Sequence, residues 1–444
     1  MGLWGGKREN PLGVSFPAVL AALSRAFDLA EGRAPGHSLR VAYICLRLAA
    51  LRRRSAAATL DLFYAALLHD AGLSSLNAEL IRAPGRFPQD EFLILARHVG
   101  SPWGELAEYL TEDGEGHLSR ALRAHPDQGR ALADAMGMPR AVGRMVAAHH
   151  ELPDATGYPR GLRGRRIPWG ARVLALADKV EAAWSYFFRQ DLDAVHEFLR
   201  AQRHLFDGTL YDAFRGELAR ESDSWDQLDR PDLAQVVLRL LPRGWDTPTG
   251  EELERACAAL ASLADERSRY PLPHSLGVAA LAERMGARSG LRGGRLYRLK
   301  LAGLLHDLGV LGVRGAVLEK RGPLEPEERA EVRTHAYLTQ MALAEVPGFA
   351  APARWAGGHH ERPDGKGYWR GLRDGELEVE MRLLALAESY LSLTSDRPHR
   401  DALSREEALS LMMEEERGKF DESLFGALLV ETAKGVGLGV WSSG

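Results

Sequence analysis

A set of histidines and carboxylates occurs twice along this 444-residue chain, each time in the same order. Corresponding members differ in number by 237 in the early part (37 and 274; 69 and 306) and by 210 in the late part (125 and 335; 149 and 359; 178 and 388). Two constant offsets indicate a duplicated unit in which one copy gained an insertion. The two sets are His37, His69, Asp70, His125, His149, His150 and Asp178, and then His274, His306, Asp307, His335, His359, His360 and Glu388.

The position of the insertion depends on which histidine of the first copy corresponds to His335. His98 lies 237 residues before it (98 and 335), and His125 lies 210 residues before it (125 and 335). The Leu-Arg-Ala that precedes His125 resembles the Val-Arg-Thr before His335 more closely than the residues before His98 do. We therefore expect His125 to be the equivalent residue, and the insertion near 99–124 to form an exposed connection.

Apolar residues recur mainly at helical spacing, and alternating strand-like runs are nearly absent. After His37, for example, Leu39, Ala42, Tyr43 and Leu46 trace one face of a helix. The sequence therefore predicts an all-α fold with two tandem helical-bundle domains.

The two copies are separated by a segment rich in proline and glycine, Pro-Arg-Gly-Trp-Asp-Thr-Pro at 242–248. Thr249 followed by Glu252 then has the pattern of a capping box, which opens a helix. We place the domain boundary near 243–249, with the first domain at 1–243 and the second at 250–444.

Composition narrows the functional classes. The net charge of −4 gives no long-range positive field that would point to duplex nucleic acid, and no apolar run reaches the roughly 18 residues of a membrane span. The chain has two cysteines, far apart in sequence, which is not a disulfide framework and fits a reducing compartment. We therefore expect a cytoplasmic protein that binds neither duplex nucleic acid nor a membrane.

The recurring residues have the chemistry of metal ligands, because imidazole and carboxylate groups suit divalent Mn, Fe, Co, Ni or Zn. Each half offers more ligands than one tetrahedral ion needs, whereas two ions that share a carboxylate would use them all. Such a pair, about 3.5–4 Å apart, clamps both oxygens of a phosphoryl displacement. An isolated histidine is more often a packed or surface residue, and we interpret five others in this way: His98, His117, His196, His204 and His399.

Further motifs accompany these residues in the first half: His-Pro-Asp-Gln-Gly at 125–129, His-His-Glu at 149–151, Gly-Tyr-Pro at 157–159 and Ala-Asp at 177–178. At these motifs the chain resembles the HD-GYP family of the HD metal-dependent phosphohydrolase superfamily. The resemblance extends over about residues 37–190 and, in the second copy, over about residues 274–430.

The resemblance implies a two-metal centre in a helical bundle. It implies that Asp70 bridges the two ions of the first half, as Asp307 would in the second, which makes both candidate catalytic residues. It also implies iron or manganese, with nickel, cobalt or zinc as further candidates, and hydrolysis of cyclic di-GMP to the linear dinucleotide or GMP. In the first half one ion would take His37, His69 and Asp178, and the other would take His125, His149 and His150.

Both copies depart from the family pattern. Leu73 and Val310 stand where members usually carry a lysine that contacts phosphate, a contact that arginine could replace. In the second copy Glu388 replaces the late aspartate, and Trp369 replaces the proline of Gly-Tyr-Pro. We interpret Trp369 as packing its loop rather than stacking on a guanine base. The candidate substrate-binding residues are Gly157, Tyr158, Arg160, Lys366, Tyr368 and Arg397.

We therefore predict a bacterial, metal-dependent phosphodiesterase that acts on a cyclic dinucleotide, with the first half as the better-equipped centre. Two alternatives stay open. One is a phosphohydrolase of another nucleotide, and the other is a degenerate pair of domains that senses a nucleotide or binds a signalling protein. The sequence leaves the oligomeric state open.

Overall fold

The structure, a computed structural model, describes residues 12–30, 36–73, 117–187, 191–216, 225–242, 249–268, 273–318, 320, 322–396, 401–414 and 420–433. Within these ranges the chain is helical and has no β-strand, which confirms the all-α prediction. The described α-helices of the first half are α1 (Phe16–Ala30), α2 (His37–Leu51), α3 (Ala56–Leu68), α4 (His117–Ala135), α5 (Arg140–Val146), α6 (Trp169–Ala182), α7 (Leu192–Ala201), α8 (Gly208–Gly216) and α9 (Leu233–Leu240).

The second half continues with a matching series. Its described α-helices are α10 (Gly250–Ser268), α11 (His274–Arg288), α12 (Gly293–Leu305), α13 (Gly315–Leu318), α14 (Pro326–Ala344), α15 (Ala350–Gly357), α16 (Val379–Leu393), α17 (Arg405–Glu414) and α18 (Glu422–Ala433). Equivalent helices start at the offsets of the histidine repeat: α2 and α11 at 37 and 274, α3 and α12 at 56 and 293, α5 and α15 at 140 and 350, α6 and α16 at 169 and 379. The repeat in the sequence is therefore a repeat of structure.

Contacts along the backbone divide the chain into two compact units. One spans Pro17–Asp246, and the other spans Thr247–Gly444 together with Met1–Phe16. The predicted capping box is present, since the Thr249 N–H donates to the Glu252 carboxylate (2.8 Å) and the Glu252 N–H donates to Thr249 Oγ1 (3.2 Å). The boundary near 243–249 stays a proposal, because residues 243–248 lie outside the described ranges.

Each unit is built around one central helix. In the first unit α2 packs on α3 and α6, while α5 packs on α3, α4 and α6; the second unit repeats this arrangement, with α11 on α12 and α16, and α15 on α12, α14 and α16. Helix α2 is buried at nearly every position from His37 to Ala49, because other helices of the unit pack around it. This packing gathers the ends of several helices at one place in each unit.

Two sequence predictions, on membrane spans and on disulfides, can be compared with the structure. Within the described part of the chain, no helix combines the length and the apolar character that crossing a membrane requires. Cys45 and Cys257 are both buried, and neither is part of a disulfide.

A close helix contact in the second unit gives a test of the packing. A Cβ atom at Gly303 of α12 would lie 2.7 Å from Ala279 Cα of α11. Gly303→Ala should therefore lower the free energy of unfolding of this unit by about 1–3 kcal/mol, because the backbones must separate. The matched control is Gly426→Ala in α18, where the new methyl group meets nothing within 4 Å, and which should stabilise the unit by about 0.5–1 kcal/mol. Urea unfolding followed by circular dichroism measures both, and equal shifts of the same sign would contradict this packing.

Candidate metal centres

In the first half, the predicted metal ligands come from five separate segments and meet at one place. His37 begins α2, His69 and Asp70 follow α3, and His125 lies on α4. The remaining three are His149 and His150, which follow α5, and Asp178 on α6. All seven are buried or half-buried. His98 lies outside the described residues, and His125 occupies the position that the sequence comparison assigned to it.

Asp70 lies between two groups of histidines. One ligand atom from each of Asp70, His125, His149 and His150 lies within 4.8 Å of all the others, and His37, His69 and Asp70 form a second such group. Asp70 Oδ1 is 3.5 Å from His125 Nε2 and 3.3 Å from His149 Nε2, whereas Oδ2 is 3.5 Å from His69 Nε2 and 3.9 Å from His37 Nε2. Each oxygen of one carboxylate thus faces a different group, which is the geometry of a bridging ligand.

Asp178 completes the group around His37 and His69. Its Oδ1 atom is 3.6 Å from His37 Nε2 and 3.8 Å from His69 Nε2, which is too long for a hydrogen bond to either ring. Burial by itself raises the pKa of Asp178, but its interactions with His69 and His37 outweigh this and hold the pKa below its ordinary value. A negatively charged oxygen therefore faces two ring nitrogens across a gap.

Backbone carbonyls fix the orientation of several rings. Nδ1 of His69 donates to the Ala66 carbonyl (2.8 Å), and Nδ1 of His149 donates to the Val146 carbonyl (2.6 Å). Because a carbonyl oxygen only accepts, the proton of each neutral ring is on Nδ1, and the lone pair of Nε2 points into the site. Both carbonyls belong to the last turn of a helix, where they lack a partner within the helix.

The donor set fits divalent cations. Nε2 of His37, Nε2 of His69 and Oδ1 of Asp178 are buried and have no hydrogen-bond partner among the described residues. Buried polar atoms of this kind are costly unless something satisfies them, and imidazole nitrogens with carboxylate oxygens are ligands for Mn, Fe, Co, Ni or Zn. Burial lowers the pKa of His69, but the charges of Asp70 and Asp178 raise it to about 9. The pocket therefore favours positive charge beside its carboxylates.

The second half repeats the arrangement around Asp307. Its Oδ1 atom is 3.3 Å from His335 Nε2 and 3.6 Å from His359 Nε2, and its Oδ2 atom is 3.5 Å from His306 Nε2. His360 joins His335 and His359 in one group of ligand atoms. Again Nδ1 of each ring donates to the carbonyl three residues earlier: His306 to Gly303 (2.8 Å), His335 to Val332 (2.6 Å) and His359 to Ala356 (2.5 Å).

Glu388 makes the second centre different from the first. Its Oε2 atom is 2.8 Å from His274 Nε2 and 3.2 Å from His306 Nε2, so it accepts hydrogen bonds from the nitrogens that Asp178 only faces in the first half. The extra methylene of glutamate accounts for this closer approach. Burial lowers the pKa of His306, but Asp307 and Glu388 raise it to about 10.

Comparisons with known proteins show the family to which the chain belongs. Residues 111–210 and 253–424 match the HD domain family. Over 430 residues the chain is 26% identical to the 3′3′-cGAMP-specific phosphodiesterase 3 of Vibrio cholerae, an alignment that covers 92% of this chain and 93% of that protein. The chain belongs to the HD-GYP family. As the sequence predicted, it is a metal-dependent phosphodiesterase.

Other relatives match part of the chain. A probable cyclic di-GMP phosphodiesterase of Vibrio cholerae is 34% identical over 39% of this chain and 43% of its own length, and a cyclic di-GMP phosphodiesterase of Pseudomonas aeruginosa is 33% identical over 36% and 39%. A crystal structure of a cyclic GMP-AMP-specific phosphodiesterase of Vibrio cholerae has a TM-score of 0.65 at 24% identity, covering 94% of this chain and 97% of that chain. It shows the same fold.

The glycine of the HD-GYP His-Asp-x-Gly motif permits a close backbone contact. A Cβ at Gly72 would lie 2.1 Å from the His125 carbonyl oxygen, and one at Gly309 would lie 2.1 Å from that of His335. The turn after the His-Asp pair can therefore touch the helix that supplies the next histidine. The following residues, Leu73 and Val310, are buried, so neither half has a cationic side chain at the usual place of the phosphate-contacting lysine.

The candidate substrate-binding residues near Gly-Tyr-Pro mainly support their own loop. A Cβ at Gly157 would lie 2.3 Å from the Leu152 nitrogen, and Tyr158 stacks on His150 with ring centroids 4.7 Å apart. Arg160 pairs with Asp127 and donates to the Ala147 carbonyl. Their contact with substrate stays a prediction.

The second loop follows the same plan. Tyr368 stacks on His360 at 4.2 Å, and Lys366 is exposed. Nε1 of Trp369 donates to the Gly357 carbonyl (3.0 Å), which supports the interpretation of Trp369 as a loop-packing residue. Arg397 lies outside the described residues.

The third residue of His-His-Glu organises these loops, a role that sequence reasoning did not assign. The buried Glu151 accepts hydrogen bonds from the N–H groups of Arg160 (2.7 Å) and Leu162 (2.6 Å). Glu361 does the same for Arg370 (3.0 Å) and Leu372 (2.9 Å). The presence of a glutamate at this position in both copies of the motif was the signal in the sequence that could have revealed this role.

Glu181 is a second residue that the sequence did not reveal. Its Oε2 accepts a hydrogen bond from Nδ1 of His37 (2.6 Å), and its Oε1 accepts from Arg40 Nε (2.6 Å). Burial alone would raise the pKa of Glu181, but His37 and Arg40 lower it to about 2. A carboxylate behind a metal-ligating histidine fixes the tautomer and the orientation of the ring. The equivalent positions in the second half hold Leu391 and Gly277.

Replacement of Glu181 should weaken metal binding in the first half. Glu181→Gln removes the charge that holds the proton on His37 Nδ1, and such outer contacts are typically worth about 10–100-fold in metal affinity. Competition with a fluorescent chelator measures the affinity. Glu197→Gln, which removes an exposed carboxylate of the same unit, is the control and should leave the affinity unchanged. An equal affinity in both variants would show that His37 needs no such support.

Proposed function

We propose that this protein hydrolyses a phosphodiester bond of a guanine-containing cyclic dinucleotide, and that the first half carries the reaction. The observation that carries the proposal is the position of Asp70, whose two oxygens face two separate groups of histidine nitrogens. A carboxylate shared by two ligand groups is suited to two cations close together, the arrangement that phosphoryl-transfer hydrolases use. The relatives named above support the same class of substrate.

The ligand assignment follows from the two groups. His37, His69 and Asp178 would hold one ion, His125, His149 and His150 would hold the other, and Asp70 would touch both. Two divalent ions, Fe or Mn as the family resemblance implies, would supply positive charge at the phosphoryl oxygens and would make a water molecule a better nucleophile. The rings of His37, His69 and His149 are held by Nδ1 hydrogen bonds, so these three ligands need little rearrangement to accept the ions.

In hydrolysis, the oxygen of water bonds to phosphorus while the bond from phosphorus to the ribose 3′ oxygen breaks. One proton of water ends on that 3′ oxygen, and the product is a linear dinucleotide with a terminal phosphate. The carboxylate of Asp70 holds the two ligand groups at a fixed separation during this exchange. Electrostatic preorganisation of this type is the main source of rate enhancement in phosphoryl transfer.

The difference between Asp178 in the first half and Glu388 in the second supports the first half as the working centre. Asp178 stands 3.6 Å or more from both facing nitrogens and leaves them available to a cation. Glu388 instead lies within hydrogen-bond distance of His274 and His306. A cation in the second half must displace these hydrogen bonds, which weakens its binding there.

Two substrates are candidates. Cyclic di-GMP follows from the family resemblance and from several curated relatives. The candidate 3′3′-cGAMP is favoured by the relative that aligns along almost the whole of both chains, which carries that specificity in its name. The two molecules differ in one purine base, so contacts to that base decide between them.

Separate replacement of the bridging aspartates tests which half of the protein carries the reaction. In manganese- or iron-loaded protein, Asp70→Asn should lower kcat for cyclic dinucleotide hydrolysis by at least about 100-fold, because it removes the charge shared by both ligand groups. Asp307→Asn is the matched control and should keep most of the activity. Elemental analysis after anaerobic purification should show metal lost from the mutated half. Equal losses of activity in the two variants would contradict a single working centre.

A direct competition distinguishes the substrates. The loaded protein is given cyclic di-GMP and 3′3′-cGAMP together, and the linear products are separated by chromatography. We expect hydrolysis of at least one of them and a difference of about tenfold or more in kcat/KM, since hydrogen bonds to a base edge discriminate strongly. Binding of both without cleavage would favour the nucleotide-sensing alternative, and cleavage of non-cyclic esters alone would favour a different nucleotide substrate.

A further inference from the structure

A cavity in the first unit is lined by arginines and lies apart from the predicted metal ligands. Its volume is about 500 Å³, within the range of roughly 300–1,000 Å³ that small-molecule sites occupy. None of the predicted metal ligands lines it. Its cationic residues are Arg52, Arg54, Arg165 and Arg172.

The cavity has an excess of positive charge. The one acidic residue in its lining is Asp207. Its carboxylate is already engaged, because Oδ2 accepts from Arg172 and Oδ1 accepts from the N–H (3.0 Å) and the hydroxyl (2.6 Å) of Thr209. No carboxylate among the described residues pairs with the other three arginines. Three guanidinium groups are therefore available to a ligand.

Trp169 helps to define the wall of the cavity. The guanidinium of Arg54 lies over its ring at 4.0 Å from the centroid, a cation–π contact that limits the freedom of the arginine side chain. Arg54 follows α2, Trp169 begins α6, and Arg165 lies in the short 3₁₀ turn Gly164–Arg166 just before it. The charged groups thus come from three segments that the fold brings together.

The second half shows that the scaffold does not require this cluster. Its Arg382 corresponds to Arg172 and pairs with Asp421, which accepts from the N–H and the hydroxyl of Ser423 just as Asp207 does from Thr209. That pair is therefore part of the shared framework. The positions equivalent to the other arginines and to Trp169 are Ser289, Leu291, Gly375 and Val379.

We propose that this cavity binds a small anion that carries at least two phosphate groups. Guanidinium groups pair with phosphate through two parallel hydrogen bonds and keep their charge at any physiological pH. Three available guanidinium groups exceed the charge of about −2 on one phosphate, whereas a diphosphate carries more negative charge and more acceptor oxygens. Bound anionic charge also relieves the repulsion among the cations.

Isothermal titration of the metal-loaded protein with inorganic pyrophosphate tests the proposal. The double variant Arg52→Gln/Arg165→Gln should bind at least about tenfold more weakly, since it removes two charge-assisted contacts to phosphate. The control Arg215→Gln/Arg239→Gln removes two exposed arginines outside the cavity and should bind within about twofold of the parent, because the net charge changes equally.

Three results would overturn the proposal: no binding to the parent protein at millimolar pyrophosphate, equal weakening in both double variants, or unchanged binding in the cavity variant. The last would place the anion elsewhere, for instance at the metal centres. GDP as a second titrant identifies the source of the phosphates. Tighter binding of GDP than of pyrophosphate assigns a nucleotide, and equal binding assigns the diphosphate group alone; both support the cavity.

Discussion

In both centres, a hydrogen bond from imidazole Nδ1 to the backbone carbonyl three residues earlier recurs, and the orientation of these ligand rings depends on it. It occurs at His69, His149, His306, His335 and His359. Four of these rings stand at or just after the end of a helix, where the last carbonyls have no partner of their own. The ring N–H provides a hydrogen bond to a carbonyl at the helix end, and the same hydrogen bond fixes the orientation of the ring. Nε2 of each ring then points inward, toward the carboxylate of Asp70 in the first half and of Asp307 in the second.

The duplicated halves share this framework and differ in how the first histidine is held. In the first half Glu181 binds the far side of the His37 ring, which leaves Nε2 facing the site. In the second half Glu388 binds Nε2 of His274 itself. The same scaffold therefore presents an open pair of nitrogens in one copy and a hydrogen-bonded pair in the other, a difference produced by two side chains.

Much of the site could be predicted because metal ligands are recognisable by type, order and spacing. The equivalence of His125 and His335, the all-α fold and the capping box at Thr249 all followed from local patterns. Glu181 could not be found in this way, since its partner lies 144 residues earlier and the spacing of residues on α6 does not show which helix packs there. The tight contact at Gly72 was also hidden, because it joins the turn after α3 to the backbone of α4.

The sequence by itself determined the duplication, the helical class, the family and the identity of the residues that converge, because these depend on composition and on spacing within single elements. Tertiary structure decided which oxygen of Asp70 faces which histidines, how Glu388 differs from Asp178, and that four arginines surround one cavity. These relations join atoms from different helices, and their distances depend on how the helices pack. The spacing of residues along one helix determines the direction of a side chain, whereas the packing of helices determines which residues that side chain contacts.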